Sequence, residues 1–191
     1  DTGFEFQIDE WNYLDGVHAT ETLSWLAVSE GTHVLDSGQT IVAGSGSVGT
    51  GFATQTFGTS LVNPVVFAEA ASVNEASAIA TRIRNVTTDT FQVQIEEEEA
   101  GGAHVAETVG WIAIEAGSGD GIEAVRTADQ LDERVDTFTF TTAFAAPPVL
   151  LADMQSTDGG DTTVTRLTAL STTSVSLFAE EEQSANAELG H

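Results

Sequence analysis

The sequence predicts an all-β protein of tandem antiparallel β-sandwich units, with one unit split between the two chain ends. Three observations lead there. Apolar and polar residues alternate in Phe4-x-Phe6-x-Ile8, Phe91-x-Val93-x-Ile95 and Val175-x-Leu177-x-Ala179, the period-two pattern of strands that bury one face. Pro64-Val-Val-Phe67 and Trp111-Ile-Ala-Ile114 are short unbroken apolar runs, as central strands of a sandwich carry. Finally, the chain repeats itself. His18-Ala-Thr-Glu21-Thr-Leu-Ser-Trp25-Leu-Ala27 returns 86 residues later as His104-Val-Ala-Glu107-Thr-Val-Gly-Trp111-Ile-Ala113. Pro64, Ser72, Arg82 and Glu97 return 84 residues later as Pro148, Ser156, Arg166 and Glu181. A period in the mid-80s exceeds that of most solenoids and suffices for a small domain with its own core.

In chain order, residues 1–31 read as the C-terminal part of a repeat, carrying a Phe4 strand and a Trp25 strand. Residues 32–117 read as a complete sandwich unit. Within it, Gly44-Ser-Gly-Ser-Val-Gly-Thr-Gly51 has the composition of a flexible loop or linker, and Asn85-Val-Thr-Thr-Asp-Thr90 is turn chemistry closing a hairpin from about Ile79 to Ile95. Residues 118–191 read as the N-terminal part of a further repeat, with a short helical turn expected over Thr127–Glu133. The two terminal parts are complementary, so the second is expected to be completed by residues 1–31 of the same or another chain.

Composition restricts the partners. The 5 basic residues are all Arg, and 30 acids leave a net charge of −25. Nucleic acid is excluded because phosphate binding requires a basic footprint, and anionic membrane surfaces are disfavoured for the same reason. Such a charge suits a saline or calcium-rich extracellular setting, where ions screen self-repulsion. No apolar run approaches the roughly 18 residues of a membrane span, and the chain has no Cys.

Phe57-(x)6-Pro64-Val-Val-Phe-Ala, Arg82-Ile-Arg-Asn-Val-Thr-Thr-Asp-Thr-Phe91-Gln-Val and Val109-Gly-Trp111-Ile-Ala-Ile-Glu115 resemble the H-type lectin domain of snail agglutinins and discoidins. The resemblance implies a six-stranded antiparallel sandwich, often trimeric, that binds galactose-type sugars. It departs at the sugar-contacting positions. The family's Arg falls on Ala78 and Thr162, and its Trp-His pair falls on Trp11-Asn12 in the first copy but on Glu98-Glu99 and Glu182-Gln183 in the others. The candidate carbohydrate site is therefore Trp11, Asn12, Glu98 and Glu99, with Trp11 as a stacking platform or, alternatively, a surface or interface residue.

Glu10, Glu97 and Glu181 share parity with the buried face of their strands, so each needs a cation or hydrogen-bond donors. Arg82 and Arg166 on the facing hairpin strand are the expected partners, with Glu97 and Glu181 favoured and Glu96 or Glu98 open on register. A divalent cation, with calcium the possible cofactor, would take Glu97, Glu99 and His104 as candidate ligands. His18 and His104 precede the Trp strands and are expected to fix their loops by hydrogen bonding. No nucleophile elbow or thiol supports catalysis, so the chain is expected to be non-enzymatic. Two roles fit: a carbohydrate-binding or adhesion module acting on a glycan or polysaccharide, or a structural repeat of a surface stalk or fibril that joins neighbouring copies of itself by strand exchange.

Overall fold

The computed structural model describes residues 3–185, and its regular elements are all strands, in the class the sequence predicts. β1 (Gly31–Val34), β2 (Thr40–Val48), β4 (Pro64–Ala70) and β7 (Glu107–Glu115) form an antiparallel sheet in the order β1-β2-β7-β4. β3 (Ala53–Thr56), β5 (Ala80–Arg84) and β6 (Thr90–Glu96) form a second, in the order β3-β6-β5. The alternating residues of β6 explain the packing. Phe91, Val93 and Ile95 are fully buried and meet Val42, Val66, Val109, Trp111 and Ala113 of the first sheet in one core. Phe57, Phe91 and Trp111 stack at its centre with ring centroids 5.5–5.9 Å apart.

The unbroken apolar runs have a different cause. The outer face of the four-stranded sheet is also covered, with Ile41, Val65 and Ile114 packed on Ala124 and Val28. Strands buried on both faces lose the alternation. The hairpin forms as expected: Arg82 faces Gln94 and Ile83 faces Val93, and Asn85 takes the positive φ of 50° that turns the chain.

After the hairpin of β8 (Gly117–Gly119) and β9 (Ile122–Ala124), a third sheet repeats the second. β10 (Asp136–Thr139), β11 (Thr163–Leu170) and β12 (Ser174–Glu181) lie in the order β10-β12-β11. Thr165 opposite Ala179 and Leu167 opposite Leu177 reproduce Thr81 opposite Ile95 and Ile83 opposite Val93, each 84 residues on.

Four expectations are corrected. The glycine-rich stretch from Gly44 is not a linker: Gly44–Val48 lies in β2, paired with β7. Glycine is required there because Gly44 sits opposite Trp111, and a Cβ would lie 2.8 Å from the indole Cε2. No helical turn forms over residues 127–133. β4 is not a central strand but the edge of its sheet, its free side closed by side chains described below. Residues 3–30 contain no strand. An isolated strand gains nothing without a hydrogen-bonding neighbour, and among the described residues the Phe4 and Trp25 segments meet none, so residues 3–30 add no strand to the C-terminal copy. Phe4, Phe6, Trp25 and Leu26 stay more than half exposed, and Phe4 rests edge-on against Trp25 at 5.4 Å.

Candidate functional site

Two assemblies of polar groups stand out: a buried histidine between β6 and β7, and the seam where the C-terminal copy meets the β4 and β5 edges.

His104 lies in the loop before β7 and its side chain is 1% exposed. Its Nδ1 is 2.9 Å from Glu97 Oε1 and its Nε2 is 3.1 Å from Glu107 Oε1. The carboxylates are held in turn. Gly102 N–H donates to Glu97 Oε2 at 2.9 Å, Ser72 Oγ donates to Glu107 Oε2 at 2.5 Å, and Asn74 N–H donates to Glu107 Oε1 at 2.7 Å. The loop can wrap Glu97 this closely because Gly101 has no side chain, a Cβ there falling 2.7 Å from Glu97 Oε2.

Burial opposes the charged ring, but the hydrogen bonds to Glu107 and Glu97 and the charge of Glu75 outweigh it and raise the His104 pKa. Burial likewise opposes the charged forms of Glu97 and Glu107, and their donors overcome it and lower both. A ring flanked by a carboxylate at each nitrogen is an imidazolium donating twice, so the predicted loop-fixing hydrogen bonds are present. The candidate metal ligands divide. Glu97 and His104 come together with Glu75, their ligand atoms within 4.8 Å of one another. Glu99 lies instead among Asp161, Glu182 and Glu181, where desolvation and these carboxyls raise its pKa. A cation could enter the first group only by displacing the His104 proton.

The sign of the pH response follows. Glu97 and Glu107 contribute stability that is present above the ordinary 4.5 and lost as pH falls through their lowered values. His104 contributes stability that is full below 6.5 and lost as pH rises through its raised value. The melting temperature is expected to peak between these limits and to decline on both sides. In the His104→Gln variant the alkaline decline should shrink, and an unchanged profile would refute the assignment.

At the seam, segment 153–163 crosses the edges of both sheets. Val66 N–H donates to Gln155 Oε1 at 2.8 Å and Gln155 Nε2 donates to Val66 O at 2.7 Å, so one side chain imitates a neighbouring strand. Ala68 N–H donates to Asp153 Oδ2 at 3.1 Å. Desolvation at this edge, helped by the charge of Glu69, pushes the Asp153 carboxyl up to about 8, although the residue as a whole is only half-buried. Thr157 Oγ1 donates to Ile83 O at 2.8 Å, and Thr162 Oγ1 donates to Glu97 O at 2.5 Å. The strand ends join as well: Glu99 N–H donates to Glu182 Oε1 at 2.5 Å and Ala100 N–H to Ser184 Oγ at 2.8 Å.

The predicted ion pairs form one residue away from the favoured register. Arg82 Nη1 donates to Glu96 Oε2 at 2.8 Å and Arg166 Nη1 to Glu180 Oε2 at 2.7 Å. Glu97 is engaged by His104, which parity alone did not reveal. The seam separates the two arginines. Arg82 also donates to Asp161 O at 2.5 Å and its side chain is 1% exposed, whereas that of Arg166 is 57% exposed. Arg82→Ala should cost about 3 kcal/mol and Arg166→Ala under about 1 kcal/mol in denaturant titrations. Equal costs would remove the seam's claim on Arg82.

The candidate sugar residues fall in two places. Trp11, half-buried, and Asn12, exposed, lie in a turn closed by Leu14 N–H donating to Trp11 O at 2.9 Å. Gln183 N–H donates to the neighbouring Tyr13 Oη at 3.2 Å. Glu98 and Glu99 follow β6, Glu99 in the seam and Glu98 with its Oε2 buried and without a donor among the described residues. Sequence reasoning missed Glu75 beside His104 and Ser72 as the donor to Glu107. The signal was present, since Ser72 recurs at Ser156 and Glu107 at Glu21, but nothing in one dimension joins the loops after β4, after β6 and before β7.

No family model matches the chain, and no solved structure matches it. It is 31% identical over 191 residues to halomucin of Haloquadratum walsbyi (strain DSM 16790 / HBSQ001), the match covering 95% of this chain and 2% of halomucin. The chain is homologous to a small fragment of that very long protein, and its own internal repetition marks it as a repeat segment.

Proposed function

We propose that this chain is a non-catalytic structural repeat segment of a large extracellular surface protein, in which copies of one sandwich unit, residues 32–117 here, are stitched into an array. The seam carries this reading. Backbone groups of β4 and of the chain after β6 are satisfied by Asp153, Gln155, Glu182 and Ser184 of the adjoining copy, which closes an edge that would otherwise invite indiscriminate strand addition. Homology to halomucin supports the extracellular placement and the scale of the array. The lectin-like arrangement of hairpin and Trp strand then serves as scaffold, and the position that would hold Glu98 and Glu99 for a sugar is taken up by contact between copies.

A glycan array run with and without calcium tests this against the carbohydrate-binding reading. The expected result is no saturable binding; a glycan that saturates and is lost in Trp11→Ala would make the chain an adhesion module instead. The charge of −25 predicts that the melting temperature rises gradually with any salt. A response to calcium that saturates at constant ionic strength would instead mark a specific site, and indifference to both would contradict the electrostatic reading.

A further inference from the structure

We infer that Asn85, in the turn of the β5–β6 hairpin, is the acceptor of an N-linked glycan, transferred from a sugar chain carried on a lipid phosphate. The inference goes beyond the structural-repeat reading and takes from it only the extracellular placement. Asn85-Val86-Thr87 is an Asn-x-Thr triplet whose middle residue is not proline, the pattern that N-glycosylation requires. The triplet occurs once. Asn12, Asn63, Asn74 and Asn186 have no Ser or Thr two residues on.

The fold presents the triplet to solvent. Asn85, Thr87, Thr88 and Asp89 are exposed, while Val86 between them packs against the core and anchors the turn. Asn85 Nδ2 donates to Gln92 Oε1 at 2.8 Å, an oxygen that also accepts from Arg84 Nε at 3.0 Å. An amide nitrogen carries two hydrogens, so one can be exchanged for a sugar while the other keeps the bond to Gln92. In the transfer Nδ2 bonds to the sugar C1, and the C1–O bond to the lipid phosphate breaks. The phosphate leaves with the electron pair and one Nδ2 proton passes to a base, so no oxidant or reductant is needed.

The repeat separates what the turn requires from what it does not. Thr87 Oγ1 accepts from Thr90 N–H at 3.0 Å and from Asp89 N–H at 3.3 Å. At the equivalent place 84 residues on, Ser171 Oγ accepts from Ser174 N–H at 3.0 Å and from Thr173 N–H at 3.1 Å. The hydroxyl therefore closes both turns. Ala169 stands where the first hairpin has Asn85, and the register shift between Leu167 and Ala169 brings the chain to its turn without the positive φ of Asn85. A hairpin of this pattern closes without asparagine, which leaves the amide of Asn85 as the member of the triplet that the turn does not demand.

The test is mass spectrometry of the full chain recovered from the cells that produce it, with fractionation to show where the chain resides. The peptide containing Asn85 should be heavier than its sequence by whole sugar residues, and fragmentation should place them on Asn85. Thr87→Ser should keep the increment and Thr87→Ala should lose it entirely. Because Thr87→Ala also removes turn bonds, Asn85→Gly provides the second control. Glycine adopts the φ of 50° without strain, so this variant should lose the increment while its far-ultraviolet spectrum stays that of the parent. A bare Asn85 on chain found at the cell surface would overturn the proposal and leave the extracellular reading standing. A bare Asn85 on chain found inside the cell would overturn both. An increment that survives Asn85→Gly would place the sugar on another residue and overturn the proposal as well.

Discussion

His104→Leu is expected to lower the stability of the complete unit by about 3–5 kcal/mol, because it removes the shared donor of two buried carboxylates and leaves both charges uncompensated. The side chains of Glu97 and Glu107 are 7% and 1% exposed, so neither can recover its lost bond from water without opening its loop. Denaturant titration at pH 5.5–6, roughly where all three groups hold their native charges, measures the loss. His18→Leu, at the equivalent position in the strandless segment, should cost the single chain almost nothing, since that ring is exposed. A small effect at His104 would mean that the carboxylates are protonated in the native state, and the raised His104 pKa would then have no cause.

Trp111→Ala should cost a comparable amount, about 3–5 kcal/mol, by opening a cavity between the sheets where Phe57 and Phe91 lose their common neighbour. Gly44→Val tests the same contact from the other side. A side chain at Gly44 must displace the indole, whose ring atoms occupy its Cβ position, and overpacking of this kind costs about 1–3 kcal/mol. The two changes are coupled. In Gly44→Val combined with Trp111→Ala, the valine occupies space the indole has vacated, so the double variant should be more stable than the sum of the single losses implies. Strict additivity would show that Gly44 and Trp111 do not share that space.

The strand content of the complete unit was legible because its cause is local: Phe91, Val93 and Ile95 alternate and Asn85 can adopt a positive φ. Gly44 was misread because its requirement is not local. Composition marks a glycine-rich stretch as loose, and only the register that sets Trp111 beside it turns it into a strand. The Phe4 and Trp25 segments failed in the opposite direction. Their pattern is that of strands, but a strand is a property of a pair, and the pattern carries no guarantee that the neighbour is present in the same chain. The arginine pairs came out one residue from the favoured register because parity names a face, whereas the partner also depends on what else competes for each carboxylate. Glu97 had His104, which left Glu96 for Arg82. Of the candidate site, the sequence marked His104 and Glu97 individually through their recurrence, while the seam was hidden, since Asp153 and Gln155 stand in for a strand by side-chain chemistry that no periodicity reports.

Hydrogen exchange at single-residue resolution tests the stitching of copies most directly. Val66 and Ala68 lie on the free edge of β4, and Glu99 and Ala100 lie beyond the end of β6. Among the described residues, their amides donate to Gln155, Asp153, Glu182 and Ser184. The account predicts that all four exchange slowly, and that Asp153→Ala combined with Gln155→Ala releases Val66 and Ala68 while amides in the β4–β7 ladder remain protected. Exchange of these four amides in the unaltered chain at the rate of an open sheet edge would contradict it.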